Sequence, residues 1–528
     1  MMGLSITRNF ANKLIILIGL SLSISIFIAV FQPFPGYMDA DYYFSGGVQL
    51  AQGKGFSEPY LWNYFDPSNT IPHPSHGYWM PLASMVAALG MVMTGSQSWL
   101  AGRIFFFIVT ITIPPLTALL AYSFTKREDL SFLSGIIAIF SGYYAIYMQL
   151  TETFSINMLL GVIFFLIAHR KNNITYFFMG ILSGLFHLAR ADGLLWLVVS
   201  FIIISLNYSR SYHKLFDWIK AYSINLLGYL LVIGPWFIRN YQAFGSLFGP
   251  MASDMMWLTH YNQIFSFPPV INFSSWWNQG VNQIIATMIS AIKLNLLSTL
   301  AVQGNIIFIP LILIGAWRLK KDPRIVYSLI AWIGIFSLMS IVYPFAGMRG
   351  GFFHAGSALQ PIFWSMIPVG LVTAVEYLGT RRKWDISSAK KVFTVSIVAL
   401  SIIFTSVITV NKLYDSKNHV LIWGMEEINY RSINSDIKNT NSENIVVMVN
   451  NPPGFFLATG NYAIPIPDGD INNLTAAASE FNANYLILEP DGYPEGLDEI
   501  YSGEHIDSRI VLINKFDGLK LYEINLDE

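Results

Sequence analysis

The chain has 528 residues, 54% of them hydrophobic and only 12% charged, with a formal net charge of -1. So apolar a chain must be solvated largely by lipid, which excludes a soluble globular protein of this length. The near-neutral balance without a basic tract excludes a nucleic-acid partner, whose phosphates need clustered Lys and Arg, and the absence of cysteine excludes disulfides and thiolate metal sites.

Arg8 and Lys13 precede an apolar run from Leu14 to Phe31 that carries no small-x-small cleavage pattern, so it reads as a retained first span. Runs of about 16 to 22 apolar residues predict spans near 13-31, 100-123, 130-147, 153-168, 174-189, 193-207, 219-238, 302-318, 324-343, 359-378 and 391-411. The expected fold class is therefore a polytopic α-helical membrane protein of about eleven transmembrane helices. Trp79 to Thr94 is one more apolar run. Taken as an interfacial helix, it leaves the connectors Lys126-Arg127, Arg170-Lys171, Arg210 to Lys214, Arg318 to Arg324 and Arg381 to Lys391 on the side of Arg8 and Lys13, as the positive-inside rule requires. Counted as a span, it would invert them.

On that topology the N-terminus is cytoplasmic, and the first loop 32-99, the loop 239-301, the connector 344-358 and everything beyond about 412 are external. The expected domains are a transmembrane part, 1-411, and an external soluble part, 412-528. The tail alternates short apolar runs (Ile445 to Val449, Tyr485 to Leu488, Ile510 to Ile513) with turn residues such as Pro452-Pro453-Gly454 and Asp468-Gly469. Those runs read as strands and Leu474 to Phe481 as a helix, which predicts a small α/β domain.

Just beyond the first span lies Met38-Asp39-Ala40-Asp41-Tyr42-Tyr43-Phe44. Two carboxylates there suit a hydroxyl-activating or metal-holding site. They equally suit a helix start, with Asp39 as N-cap and Asp41 as a first-turn acid favoured by the helix dipole. The topology gathers Glu152, Arg190, Asp192, Arg239 and Arg349 at the same membrane face, where charges are costly unless paired or functional, and this favours a shared site. Each has its bland reading: Arg190 and Asp192 can pair across a tight turn, and Arg239, after Pro235-Trp236, can snorkel as an interfacial anchor. Glu152 stands alone at the mouth of an apolar helix, with no cheap structural role. His73, His76 and His354 flank turn residues, and the His73-Pro74-Ser75-His76 spacing is a weak metal signal, so hydrogen bonding to phosphate or substrate is the preferred role.

Asp39-Ala40-Asp41-Tyr42-Tyr43, Thr151-Glu152-Thr153, Gly184-Leu185 followed by Ala189-Arg190-Ala191-Asp192-Gly193-Leu194-Leu195, and Pro235-Trp236-x-x-Arg239-Asn240-x-x-x-x-Gly245 stand in that order. Together they resemble the GT-C superfamily of membrane glycosyltransferases, in particular the protein O-mannosyltransferase and lipid A aminoarabinose transferase group, over about residues 10 to 410. The resemblance implies a polyprenyl-phosphate-linked sugar donor, transfer to a protein hydroxyl, lipid or glycan outside the cytoplasm, a first-loop aspartate acting at the acceptor, and a bacterial plasma membrane. Two departures stand out. Asp39 is followed by Ala40 where the group often has Asp-Glu, and Trp79-Met80-Pro81-Leu82 replaces a Lys-Pro-Pro-Leu-like segment whose lysine meets the donor phosphate.

With that lysine missing, Arg190, Arg239, Arg349, His76 and His354 are the candidates for the donor phosphate, since guanidinium groups stabilise the charge that builds on a departing phosphate. Asp39 is the expected base, with Asp41 and Glu152 orienting it or binding sugar hydroxyls and Asp192 among the substrate-binding residues, and a single displacement would invert the anomeric carbon. Oxygen ligands from Asp39 and Asp41 allow a divalent metal, Mg2+ or Mn2+, though no feature of the sequence demands one. The rival reading is a transporter or lipid-linked sugar flippase, which would place charges and broken helices near the bilayer midplane and show repeats.

Overall fold

A computed structural model describes residues 7-65, 70-208, 215-437, 445-490, 492-504, 507-516 and 518-526. The connector Arg210 to Lys214 lies outside the described residues. Among the described residues eight helices are long and apolar enough to cross a membrane: Arg8–Val30, Trp99–Thr125, Ala191–Tyr208, Leu215–Phe244, Val281–Gln303, Pro323–Val342, Pro344–Arg382 and Ile386–Leu413. Thr153–Ile167, Asn173–Ala189, Ile309–Arg318 and Leu82–Thr94 are shorter apolar helices. The chain is a polytopic α-helical membrane protein with a small C-terminal sheet region.

Two stretches differ from the hydropathy reading, and the Trp79 to Thr94 run is a short helix as expected of an interfacial one. The run at 130-147 is broken into a helix, Glu128–Ile139, and a 3-10 turn, Gly142–Ile146. The break falls at Gly142, whose φ of +65° excludes most side chains and where an added Cβ would run into Asn305. Val281–Ser298 lies inside the expected loop 239-301, yet it is helical and, with its π-helical continuation to Gln303, long enough to span. Asn282, Gln283, Lys293 and Asn295 interrupt the apolar run there in a linear count.

 The Trp79 to Thr94 run forms a helix only from Leu82 to Thr94, 13 residues, which at 1.5 Å per residue reaches about 20 Å against a hydrocarbon core of about 30 Å.

The chain divides into two compact units. The first comprises Met1–Phe31, Arg103–Arg239 and Thr287–Leu421. Its helices meet through glycine, as membrane helices do when backbones must approach closely. A Cβ at Gly370 would meet the Leu311 carbonyl oxygen at 1.9 Å, one at Gly315 the Met366 carbonyl oxygen at 2.2 Å, and one at Gly161 the Ala358 carbonyl oxygen at 1.9 Å. At the start of the Glu128–Ile139 helix, Glu128 accepts hydrogen bonds from Thr7, Asn9 and Lys13, which ties down the first helix. Arg324 is buried, paired with Asp322 at 2.7 Å and donating to the Ser123 hydroxyl at 2.6 Å.

The second unit comprises Gln32–Gly102, Asn240–Ala286 and Ile422–Glu528. Its centre is a five-stranded sheet in the order Tyr462–Ile464, Val446–Met448, Tyr485–Leu488, Leu519–Ile524, Ile510–Phe516. The first three strands run parallel and the last two join antiparallel. The edge is covered by the first loop: Tyr60 bridges Ala463 in parallel, and the Leu61 N–H donates to the Ala463 carbonyl at 2.9 Å. Leu61 and Tyr64 then enter the same core as Leu474, Ala478, Leu486 and Tyr522. The tail therefore shares its hydrophobic core with the segment that carries the acid pair.

Because the Gly370 contact is backbone to helix backbone, no side chain can yield there. Gly370→Leu is expected to lower stability by about 1–3 kcal/mol or more through overpacking, whereas Gly234→Leu, with nothing within 4 Å of its Cβ position, should leave the melting temperature of the detergent-purified protein nearly unchanged.

Candidate active site

Met38–Ala51 forms one helix, so the acid pair lies in its first turn. The N-cap is Tyr37, in extended conformation and without a side-chain cap bond, which takes the capping role away from Asp39. Residues two apart on a helix diverge by about 200°, and the two acids are separated accordingly. Asp41 is only 5% exposed, and its Oδ2 accepts from the Asn451 side-chain amide at 2.8 Å. Asp39 stays half-exposed. A single ion held by both carboxylates does not suit that divergence.

Burial, and after it the charge of Glu426, push the Asp41 carboxyl well above the usual carboxylate range. Around it lies a set of tail residues that sequence reasoning missed. The Tyr430 hydroxyl is 2.8 Å from Glu426 Oε1 and 2.6 Å from Glu489 Oε1. A phenol has one proton to donate, so one of these contacts must run from a protonated carboxyl to the phenol oxygen. Glu489 fits that role, since burial and the Glu426 charge raise it to about 7. The sequence signal for this neighbourhood was Asn451-Pro452-Pro453: Asn followed by Pro is a helix start, and the Pro452–Thr459 helix begins there instead of the expected turn.

The histidines of the first loop have separate partners. His76 Nδ1 lies 2.7 Å from the Ser75 hydroxyl and its Nε2 3.0 Å from that of Ser84, while its backbone N–H donates to the Tyr42 hydroxyl at 2.8 Å. With both ring nitrogens occupied, His76 has no atom to spare for a phosphate in this arrangement. His73 Nε2 sits 3.1 Å from Glu58 Oε1, so the two histidines do not converge on one ion. Trp79, at the position where the resemblance expects lysine nearby, packs against Tyr42 and Trp62 with ring centroids 4.5 and 4.3 Å apart.

In the first unit Glu152 is the N-cap of Thr153–Ile167 and accepts from the Thr153 hydroxyl at 2.8 Å. It therefore has the structural role that the sequence did not disclose. It also faces His354, whose Nδ1 is 3.6 Å from Glu152 Oε1 and whose ring stacks on Phe154 at 4.2 Å. A buried carboxylate beside an imidazole is a donor set that suits a divalent cation. Arg190 and Asp192 do pair, with Nη2 to Oδ2 at 2.7 Å and Nε within 3.0 Å of the same oxygen. Arg239 lies over the Trp236 ring at 4.8 Å. Arg349 is exposed, in the π-helical segment Gly347–Gly351 that breaks at Gly350, φ +107°. Such breaks often accompany function.

No protein-family model and no curated protein matches the chain. Solved structures do. ArnT from Cupriavidus metallidurans in the apo state aligns with a TM-score of 0.57 at 10% identity, covering 97% of this chain and 98% of that one. The chain has the GT-C fold. ArnT bound to undecaprenyl phosphate gives a TM-score of 0.56 at 11% identity with the same coverage. The Archaeoglobus fulgidus oligosaccharyltransferase complexed with Zn and sulfate gives 0.54 at 11% identity, covering 93% of this chain and 69% of that one. The GT-C likeness thus extends through the tail, beyond the residue 410 at which the motif resemblance stopped.

The raised Glu489 carboxyl sets a pH dependence. Between its ordinary value, 4.5, and about 7, the folded protein holds a proton that the unfolded chain has released, so stability is greatest below that window and falls as pH rises through it. The melting temperature of the purified protein should drop from pH 5 to pH 7, and Glu489→Gln should flatten that slope; an unchanged slope would remove Glu489 as its source.

Proposed function

We propose that the protein is an integral membrane glycosyltransferase that moves a sugar from a polyprenyl-phosphate-linked donor to an acceptor hydroxyl on a protein, lipid or glycan. The observation that carries this is the extent of the fold: 97% of the chain aligns with ArnT bound to undecaprenyl phosphate. The oligosaccharyltransferase AglB in complex with dolichol-phosphate and an inhibitory peptide aligns over 94%, with a TM-score of 0.52. Both neighbours bind a phosphate on a long isoprenoid.

Asp39 is the base that takes the acceptor proton, because it is the member of the acid pair that remains accessible while Asp41 is sealed. Direct displacement at the anomeric carbon then inverts it. Arg190, Arg239 and Arg349 stabilise the departing phosphate, since a guanidinium offers charge-assisted hydrogen bonds where that charge builds. Glu152 and His354 would hold a divalent cation, Mg2+ or Mn2+, which adds positive charge for the same phosphate. In a bacterial plasma membrane the reaction lies on the external face, since the basic connectors mark the cytoplasmic one.

The donor and acceptor are identified by comparing glycans and glycolipids of cells with and without the protein. With that donor, Asp39→Asn should lower turnover about 100-fold or more while donor binding persists; unaltered turnover would remove Asp39 as base. A chelator should abolish turnover and Mg2+ or Mn2+ restore it, and activity indifferent to chelation would exclude the cation. Since the chain is free of cysteine, Lys321→Cys in intact cells tests orientation: it should stay unlabelled by an impermeant thiol reagent, and labelling would reverse the topology.

A further inference from the structure

Asn451 belongs to the tail, yet its side chain is turned to the first-loop helix and is only 3% exposed. Its orientation is determined by what surrounds it. Pro452 and Pro453 have no N–H, so the first backbone donor of the Pro452–Thr459 helix is Gly454 N–H, and that group bonds Asn451 Oδ1 at 3.0 Å. A backbone N–H can only donate, so the atom facing it must be the carboxamide oxygen. The amide nitrogen is thereby aimed the other way, at Asp41 Oδ2, 2.8 Å distant. Gly454 is needed for this: a Cβ there would come within 2.5 Å of Asn451 Nδ2 and 2.9 Å of Asp41 Oδ2.

The groups that face Asp41 are otherwise acidic or phenolic. Asp39 lies on its own helix, Glu426 and Glu427 come from Met425–Ile437, and Tyr60 comes from the first loop. Glu426 also bonds the Asn451 side chain and the Tyr430 hydroxyl. Asn451 is the side chain that donates to Asp41 without adding charge, and it holds that carboxyl away from the face that Asp39 occupies.

We propose that Asn451 is a positioning residue for the acid pair: it fixes Asp41, and through Asp41 the first turn of the Met38–Ala51 helix that presents Asp39, so that the tail is a working part of the catalytic apparatus. This rests on the glycosyltransferase reading for its effect on turnover, but not for the pairing itself.

Asn451→Asp separates the two roles of the side chain, since a carboxylate still caps Gly454 N–H but has no proton for Asp41. The full-length variant should melt below the wild type, and the acid limb of its pH-rate profile should move to higher pH as turnover falls at least tenfold at neutral pH. Combining it with Asp41→Asn restores one amide facing one carboxyl with the donor reversed, and should recover much of the lost melting temperature, more than the two single changes predict by addition. Should the single variant not fold, recovery of folding in the double variant reads the same pairing. A double variant no better than additive would overturn the pairing. Normal turnover and an unmoved pH profile in Asn451→Asp would overturn the positioning role. If wild-type protein shows no sugar transfer, the glycosyltransferase reading fails, and the melting comparison still decides the pairing.

Discussion

The feature on which the second unit depends is the capture of the first loop by the tail's sheet. Backbone groups at a sheet edge must be satisfied, and here Tyr60 and Leu61 satisfy those of the Tyr462–Ile464 strand at Ala463. Once that edge is closed, Leu61 and Tyr64 are carried into the tail's core, and Tyr64 donates to the Pro465 carbonyl. The Met38–Ala51 helix follows, because Tyr42 on it is held by the His76 backbone N–H and its ring packs on Trp79 and Tyr60. A helix positioned in this way can present an acid in a defined place even though its own N-terminus lacks a side-chain cap.

Helix geometry then divides the work of the two acids. Asp41 points into a neighbourhood of carboxyls and phenols, where desolvation disfavours its charged form and an amide is the donor that meets it. Asp39, two residues earlier, points elsewhere and keeps access to solvent. The buried carboxyls Glu426 and Glu489 share Tyr430, an arrangement that is satisfied only while a proton is retained.

The first unit solves a different problem, that of placing charge in an apolar bundle. Arg190 is neutralised by Asp192, Arg324 by Asp322, and Glu152 is held by the turn it caps. Each is cheap enough to keep because its partner is two residues away or closer, so little chain entropy opposes the pairing. Glu152 facing His354 and Arg349 on its broken π-helical segment are what this unit adds to the candidate chemistry.

Much of the architecture could be read from composition and pattern. Long apolar runs must become helices in lipid because no water is there to satisfy the backbone, and the runs at 100-123, 219-238 and 391-411 lie within observed helices, as does 13-31 up to Val30. The order of short motifs from Asp39 to Gly245 was enough to suggest the GT-C fold that the solved structures share. Local propensity also located the Ile471–Phe481 helix and three of the tail's strands. What the linear pattern could not supply was anything decided by packing across long sequence separations. Asn305 is what a side chain at Gly142 would meet, Asn451 is what meets the buried Asp41, and Glu58 and two serines are the separate partners of His73 and His76. The sequence by itself determined that two acids stand just beyond the first span, in a stretch that the structure forms as a helix. Only the tertiary structure decided that one is sealed and the other accessible, because burial depends on which distant residues close over each face of that helix.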